Sequence, residues 1–278
     1  MDFEANEKKK AADKGFNARV IYIALIVIGA LLIAFSAYNL ISAQIAYSSA
    51  RTEYEDLREI FNAFIIEPAI PQETDDNESS PQTRRIVGVA RPRTDDYETP
   101  ADPMETLLEI NPDFIAWIRI DGIIDYPVVA GRNNSRYLST TFQGTHNSSG
   151  AIFLDYRNNV SLGDQVSIIY GHNMRDGSMF SPLHSLRDPD ILEAHRYITV
   201  VTSDWRIITY RIFAARLVNT LESENDPTQM TAAALTRAVR GAPEGTQRIL
   251  ILSTCTTSAD DYERLRIYAA EINYIPAG

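Results

Sequence analysis

Apolar and polar positions alternate along most of the second half of the chain. "FIAWIRI" (114–120) reads as a half-buried strand, and Asp121-Gly122 is a hairpin signal before "IIDYPVV" (123–129). Further runs of the same kind follow at "GAIFLDY", "DQVSIIY", "YITVV", "WRIITYRIFAARLV", "RILILSTC" and "RLRIYAAEI". Two stretches break the period. "METLLEI" predicts a short helix ended by Asn111-Pro112, and "TQMTAAALTRAVR" predicts a helix opened by Asp226-Pro227 and closed by Gly241. Seven or eight strands with few helices, within about 170 residues, predict a mostly β, closed barrel rather than a βαβ fold.

The first third follows a different pattern. "VIYIALIVIGALLIAFSAY", from Val20 to Tyr38, carries no charge and as a helix is roughly 28 Å long, close to the hydrocarbon thickness of a bilayer. The apolar region of a cleaved signal peptide is shorter, about 7 to 15 residues, so 20–38 is expected to be an uncleaved transmembrane anchor. Lys8, Lys9, Lys10, Lys14 and Arg19 precede it. By the positive-inside rule residues 1–19 form a cytoplasmic tail and the rest lies outside the cell, a single-pass type II arrangement in the cell membrane. Residues 39–67 continue in helical register with polar residues on all sides, the pattern of a helical stalk. Residues 68–103 are rich in Pro, Asp, Glu, Ser and Thr, too poor in apolar side chains to offset the entropy of ordering, and are expected to be a flexible linker. The compact domain is expected over 104–278.

Composition narrows the chemistry. With 26 basic against 37 acidic residues the net charge is -11, which argues against nucleic acid as a partner. There is one cysteine, Cys255, and no CxxC pair or histidine cluster, so zinc and dithiol chemistry fall away and no cofactor is expected. An unpaired thiol outside the cytoplasm is exposed to oxidation. A buried thiol serving as a small hydrophobe is the plain explanation, but its neighbours offer another. Strand alternation puts Ile249, Ile251, Ser253 and Cys255 on one face, and Arg264, Arg266, Tyr268 and Ala270 on one face of the next strand. A polar loop joins the two, so a cation can sit across from the thiol. His172 directly ends the apolar strand "QVSIIYG"; His146, His184 and His195 stand in loop-like contexts and read as surface residues. Asp155 and Asp176 read as solvated, turn-capping residues. The thiolate is the nucleophile, and imidazolium and guanidinium groups favour it. A histidine can protonate a leaving amine, and an arginine can stabilise an oxyanion. These groups suffice for an extracytoplasmic cysteine acyltransferase or protease that uses no metal.

"YGHNMRDGSMF", "LSTCT" and the arginine shortly after resemble the signature segments of sortases, the Gram-positive cell-wall transpeptidases. "WIRIDGIIDYPVV", "NNSRYL" and "GAIFLDYRNN" are similar to the matching segments of class B members, as is the insert holding "MTAAALTRAVR". The resemblance covers residues 104 to 272 and implies a sortase-like closed β-barrel with short helices behind an N-terminal transmembrane helix. It puts His172, Cys255 and Arg264 at the catalytic positions, and Asn134, Leu138, Tyr170 and Ser253 at positions lining the peptide groove. It implies a thiol-protease-like transpeptidase that cleaves an NPxTx-like sorting motif after Thr. The partners implied are surface proteins bearing that signal, with lipid II or a pilin amine as acceptor. One position departs: where relatives carry an aliphatic residue two after the arginine, this chain has Arg266. An L,D-transpeptidase would carry its histidine just before the cysteine, where Ser253-Thr254 stands here. A non-catalytic, membrane-tethered binding barrel is the remaining alternative.

Overall fold

A computed structural model describes residues 2–63, 102–220, 227–256 and 262–275, the side chains of 2–21, Ala24, Gln229 and 273–275 excepted. The expected linker falls almost wholly outside the described residues, as does the middle of the loop after Cys255. The chain divides into two compact units between Ser49 and Ala50, both within helix α1 (Asp2–Asn62). In the first unit the helix from Leu25 on is long and apolar enough to cross a membrane by length and composition.

The second unit is built on eight strands: β1 (Phe114–Ile120), β2 (Ile124–Ala130), β3 (Ile152–Leu154), β4 (Val166–Tyr170), β5 (Tyr197–Thr202), β6 (Ile207–Asn219), β7 (Ile249–Cys255) and β8 (Glu263–Ile275). They close into a barrel in the order β1-β2-β3-β4-β7-β8-β6-β5. The mostly β barrel expected from the alternation is the fold observed. Two of its contacts are parallel, β2 with β3 and β4 with β7, which alternation within single strands does not reveal. Helix α2 (Pro103–Ile110) starts at an Asp102 cap whose carboxylate accepts from the Met104 amide. A short α3 (Pro189–Ala194) precedes β5.

The insert helix differs from expectation. Pro227–Gln229 form a 3-10 turn, and α4 (Ala232–Ala238) starts separately, capped by the Thr231 hydroxyl on the Ala234 amide. The cap of α4 is the local Thr231 hydroxyl, and Asp226 lies outside the described residues. α4 lays Ala232 and Leu235, with Val239 just beyond it, on Val166, Ile168, Ile249, Ile251, Ala214 and Tyr268. One face of the β4–β7–β8 sheet is therefore covered at one end and open at the other.

From Ala50 the segment expected as a stalk belongs to the barrel unit. Ala50, Tyr54, Leu57 and Phe61 are buried, a stripe at helical spacing. Phe61 stacks on Trp117 at 4.3 Å, and Tyr54 meets Tyr126 edge-on at 5.4 Å. Arg119 and Arg58 lie over Phe61 and Tyr126 at 5.5 and 5.0 Å. The β1–β2 hairpin, expected to be half-exposed, is consequently buried on both faces at Trp117 and Tyr126. The compact unit thus begins at Ala50, well before 104.

Candidate active site

Strands β4 and β7 pair in parallel from Val166↔Ile249 to Tyr170↔Ser253, so both end at the same rim of the barrel. The Gly171 amide extends the ladder by donating to the Ser253 carbonyl at 3.2 Å. A Cβ at Gly171 would lie 2.5 Å from Ile152 Cδ1 and 2.6 Å from the Phe180 ring. Glycine is therefore what lets the chain turn into His172 while pressed against the core. On the other side β7 pairs with β8 in antiparallel register, with Ser253↔Arg266 and Cys255↔Arg264. The alternation read from the sequence is the one observed, since Ile249, Ile251 and Tyr268 pack in one cluster under α4. Where that cover ends, the same face continues as Tyr170, Ser253, Cys255 and Arg264.

These residues meet in a cavity of about 270 Å³ lined by Asn134, Leu138, Tyr170, His172, Ser253, Cys255 and Arg264, with Phe153, Gly171 and Thr254 completing it. All seven residues singled out from the sequence are brought together. Cys255 is half-buried and free. Leu138 exposes 46% of its surface at the rim, apolar area available to a ligand. His172 Nε2 lies 2.8 Å from the Leu138 carbonyl oxygen. A carbonyl only accepts, so Nε2 carries a proton and Nδ1 is left for exchange. Arg264 Nη1 donates to the Glu263 carbonyl at 2.9 Å. Among the described residues Arg266 makes no ion pair, and its Nε is buried without a hydrogen bond. The strand places it one pleat below Arg264, beside Ser253.

Two residues behind the cavity were read differently from the sequence. His184 is half-buried, and its Nε2 lies 3.0 Å from the Cys255 carbonyl oxygen, so it braces the end of β7. Of the other two, His146 is exposed, while half-buried His195 is bonded to the Asp121 carbonyl at 2.8 Å. Asp155, expected to be solvated, has no exposed surface. Its Oδ1 accepts from Arg157 N and Nε at 3.0 and 2.8 Å. Its Oδ2 accepts from Arg157 Nη2 at 2.8 Å and from Asn134 Nδ2 and the Tyr170 hydroxyl at 3.0 Å each. Burial alone would raise the Asp155 pKa; the hydrogen bonds from Arg157, Asn134 and Tyr170 outweigh it and hold the carboxyl below its ordinary value. Burial, with the carboxylate adding to it, pushes the Tyr170 hydroxyl up to about 12, so it remains a donor. The signal for this network was present in "LDYRNN": Arg157 stands two residues after Asp155. Asp176 does cap a turn, accepting from Ser178 N and Oγ at 3.1 and 2.7 Å. Among the described residues no three His, Cys, Asp or Glu side chains gather to hold a metal ion.

A family model described as a sortase domain matches residues 118–272. Sortase B of Listeria monocytogenes is 34% identical over 178 residues, covering 60% of this chain and 72% of that protein. The X-ray structure of Clostridium perfringens sortase B superposes with a TM-score of 0.54 at 30% identity, over 61% of this chain and 99% of that one. A Streptococcus pyogenes class B sortase involved in pilus biogenesis gives a TM-score of 0.55 at 28% identity, over 60% and 97%. The family match spans more than half of the sequence and includes both strand ends that form the cavity, and with the sortase B relatives beside it the chain belongs to the sortase family, in its class B.

Proposed function

We propose that this chain is a membrane-anchored transpeptidase that cleaves an NPxTx-like sorting motif after threonine and transfers the protein to an amine. The observation that carries the reading is the single cavity holding Cys255, His172 and Arg264 together with Asn134, Leu138, Tyr170 and Ser253. The Cys255 thiolate adds to the threonine carbonyl carbon, and the oxyanion that forms takes hydrogen bonds from Arg264. Collapse breaks the scissile C–N bond as His172 gives a proton to the leaving amine, which leaves a thioester on Cys255. An incoming amine attacks that thioester, loses a proton to His172 and releases the thiolate. Water in place of the amine gives hydrolysis. The acceptor amine belongs to lipid II or to a pilin lysine. The involvement of the Streptococcus pyogenes relative in pilus biogenesis is the reason to keep the second acceptor beside the first.

The test uses the full chain in detergent micelles with an NPxTx peptide and a small amine. Mass spectrometry should find the peptide up to threonine as a thioester on Cys255, and the amine adduct as product. An NPxTx peptide should be consumed faster than an LPxTG peptide of equal length. Absence of any acyl adduct on Cys255 with either peptide would sink the reading. For the topology, protease added to protoplasts should remove the barrel and protect only the N-terminal tail; protection beyond Tyr38 would reverse the orientation.

A further inference from the structure

The groove wall formed by Asn134 and Tyr170 owes its orientation to a group that no peptide can touch. We propose that Asp155 is a positioning residue that fixes the hydrogen-bonding polarity of this wall; the proposal rests on the sortase reading of the cavity. Asp155 is fully buried behind the wall, at the end of β3. Capping its own turn requires only Oδ1, which accepts the Arg157 amide at 3.0 Å. Oδ2 does something else: it reaches two other segments of the chain, accepting from Asn134 Nδ2 and the Tyr170 hydroxyl at 3.0 Å each. A bidentate Arg157 balances the charge, which makes so buried a carboxylate tolerable.

An ionised carboxylate only accepts. Tyr170 must therefore donate its one hydroxyl proton to Asp155, which leaves its oxygen lone pairs as an acceptor. Asn134 must turn Nδ2 toward Asp155; its Oδ1 accepts the Tyr156 amide at 3.0 Å, and the second Nδ2 proton is what remains to give. The wall thus offers one acceptor and one donor in a fixed order, matched to the N–H and C=O of an extended peptide. An amide at 155 would put an N–H₂ where one acceptor oxygen stood, leaving the Tyr170 hydroxyl free to turn and Asn134 held by the Tyr156 amide alone. Asp155 acts through Asn134 and Tyr170 and takes no part in the chemistry at Cys255.

The experiment compares two alkylating reagents for Cys255 in the full chain in micelles. Iodoacetamide is too small to need the wall; a chloromethyl ketone carrying Asn-Pro-Xaa-Thr must lie along it. In Asp155→Asn the peptide reagent should lose on the order of tenfold or more in rate, the scale set by a displaced positioning group, while the iodoacetamide rate stays within about twofold. An unchanged ratio overturns the proposal, and so does an equal fall for both reagents, which would mean general disruption. If Asp155→Asn does not fold, Asn134→Ala and Tyr170→Phe replace it. Joined through one carboxylate, their losses should be non-multiplicative, and independent losses overturn the proposal. A wild-type chain that shows no preference for the peptide reagent defeats the sortase reading as well. That result is distinct from a wild type that discriminates and an Asp155→Asn variant that discriminates equally.

Discussion

Cys255 and Arg264 stand directly opposite each other across the antiparallel pair of β7 and β8, while Arg266 is opposite Ser253 one pleat deeper. Residues two apart on a strand are about 6.5 to 7 Å apart, so only one of the two arginines lies level with the thiol, and only Arg264 lines the cavity. Arg264→Ala should lower the rate of Cys255 acylation on the order of a hundredfold or more. Lysine at 264 keeps the charge without the planar fork and should rescue only part of it. Arg266→Ala should change acylation by well under about tenfold. Single-turnover acylation of the three variants decides the matter; a crippled Arg266→Ala would transfer the role to the deeper residue.

Cys255 and His172 reach the same cavity from adjacent parallel strands. Cys255→Ala and His172→Ala should each abolish transfer, and the double variant should be no worse than Cys255→Ala alone, because both act in one covalent cycle. The readout is formation of the amine adduct under saturating peptide. Turnover in Cys255→Ala above the uncatalysed level would remove the thioester from the mechanism.

Phe61 stacks on Trp117 within the barrel unit. Phe61→Ala removes that ring from a site with 2% exposure and should cost about 3 to 5 kcal/mol of stability. Glu59→Ala, two residues away on the exposed side of the same helix, should change it by less than about 0.5 kcal/mol. Denaturant unfolding followed by tryptophan fluorescence measures both. Equal effects would mean that the helix does not contribute its packing to the barrel.

Asp155 also gives the molecule an acid limit. A carboxyl held low in the folded chain contributes stability that is complete above its unfolded value and is lost as the pH falls through the lower folded value. The thermal stability of the wild type should therefore exceed that of Asp155→Asn by a constant margin from neutral pH down to about pH 4, the reference range for aspartate, and the margin should shrink below it. A margin that stays flat to lower pH would mean that the carboxylate charge is not what the site uses.

The strands and the thiol–arginine pairing were legible because each depends on period-two alternation within a few residues, as in Ile249-Ile251-Ser253-Cys255. His172 stood out as the histidine that directly ends an apolar strand, and the family segments added the groove positions. What local pattern could not supply was contact between distant segments. The Ala50–Tyr54–Leu57–Phe61 stripe passed for part of a stalk with polar residues on all sides, because its partners, Trp117 and Tyr126, stand far along the chain. His184 looked like an ordinary loop residue because its partner, the Cys255 carbonyl, lies 71 positions away. Asp155 looked solvated because a lone aspartate at a strand end usually is; its donors, Asn134 and Tyr170, come from two other segments.

The parallel pairing of β4 with β7 has an evolutionary corollary. The spacing between the imidazole-bearing and thiol-bearing strand ends is set by one rung of backbone hydrogen bonds, about 4.8 Å wide, whatever the length of chain between them. Everything from His172 to Ile249, with α3, β5, β6 and α4, is a closed excursion that leaves this rung and returns to it. Residues can be added or lost at turns along that excursion, or a new lobe grown above the open face, without detuning the two reactive groups. Chain length between the reactive groups and distance between them are thereby independent quantities in this molecule.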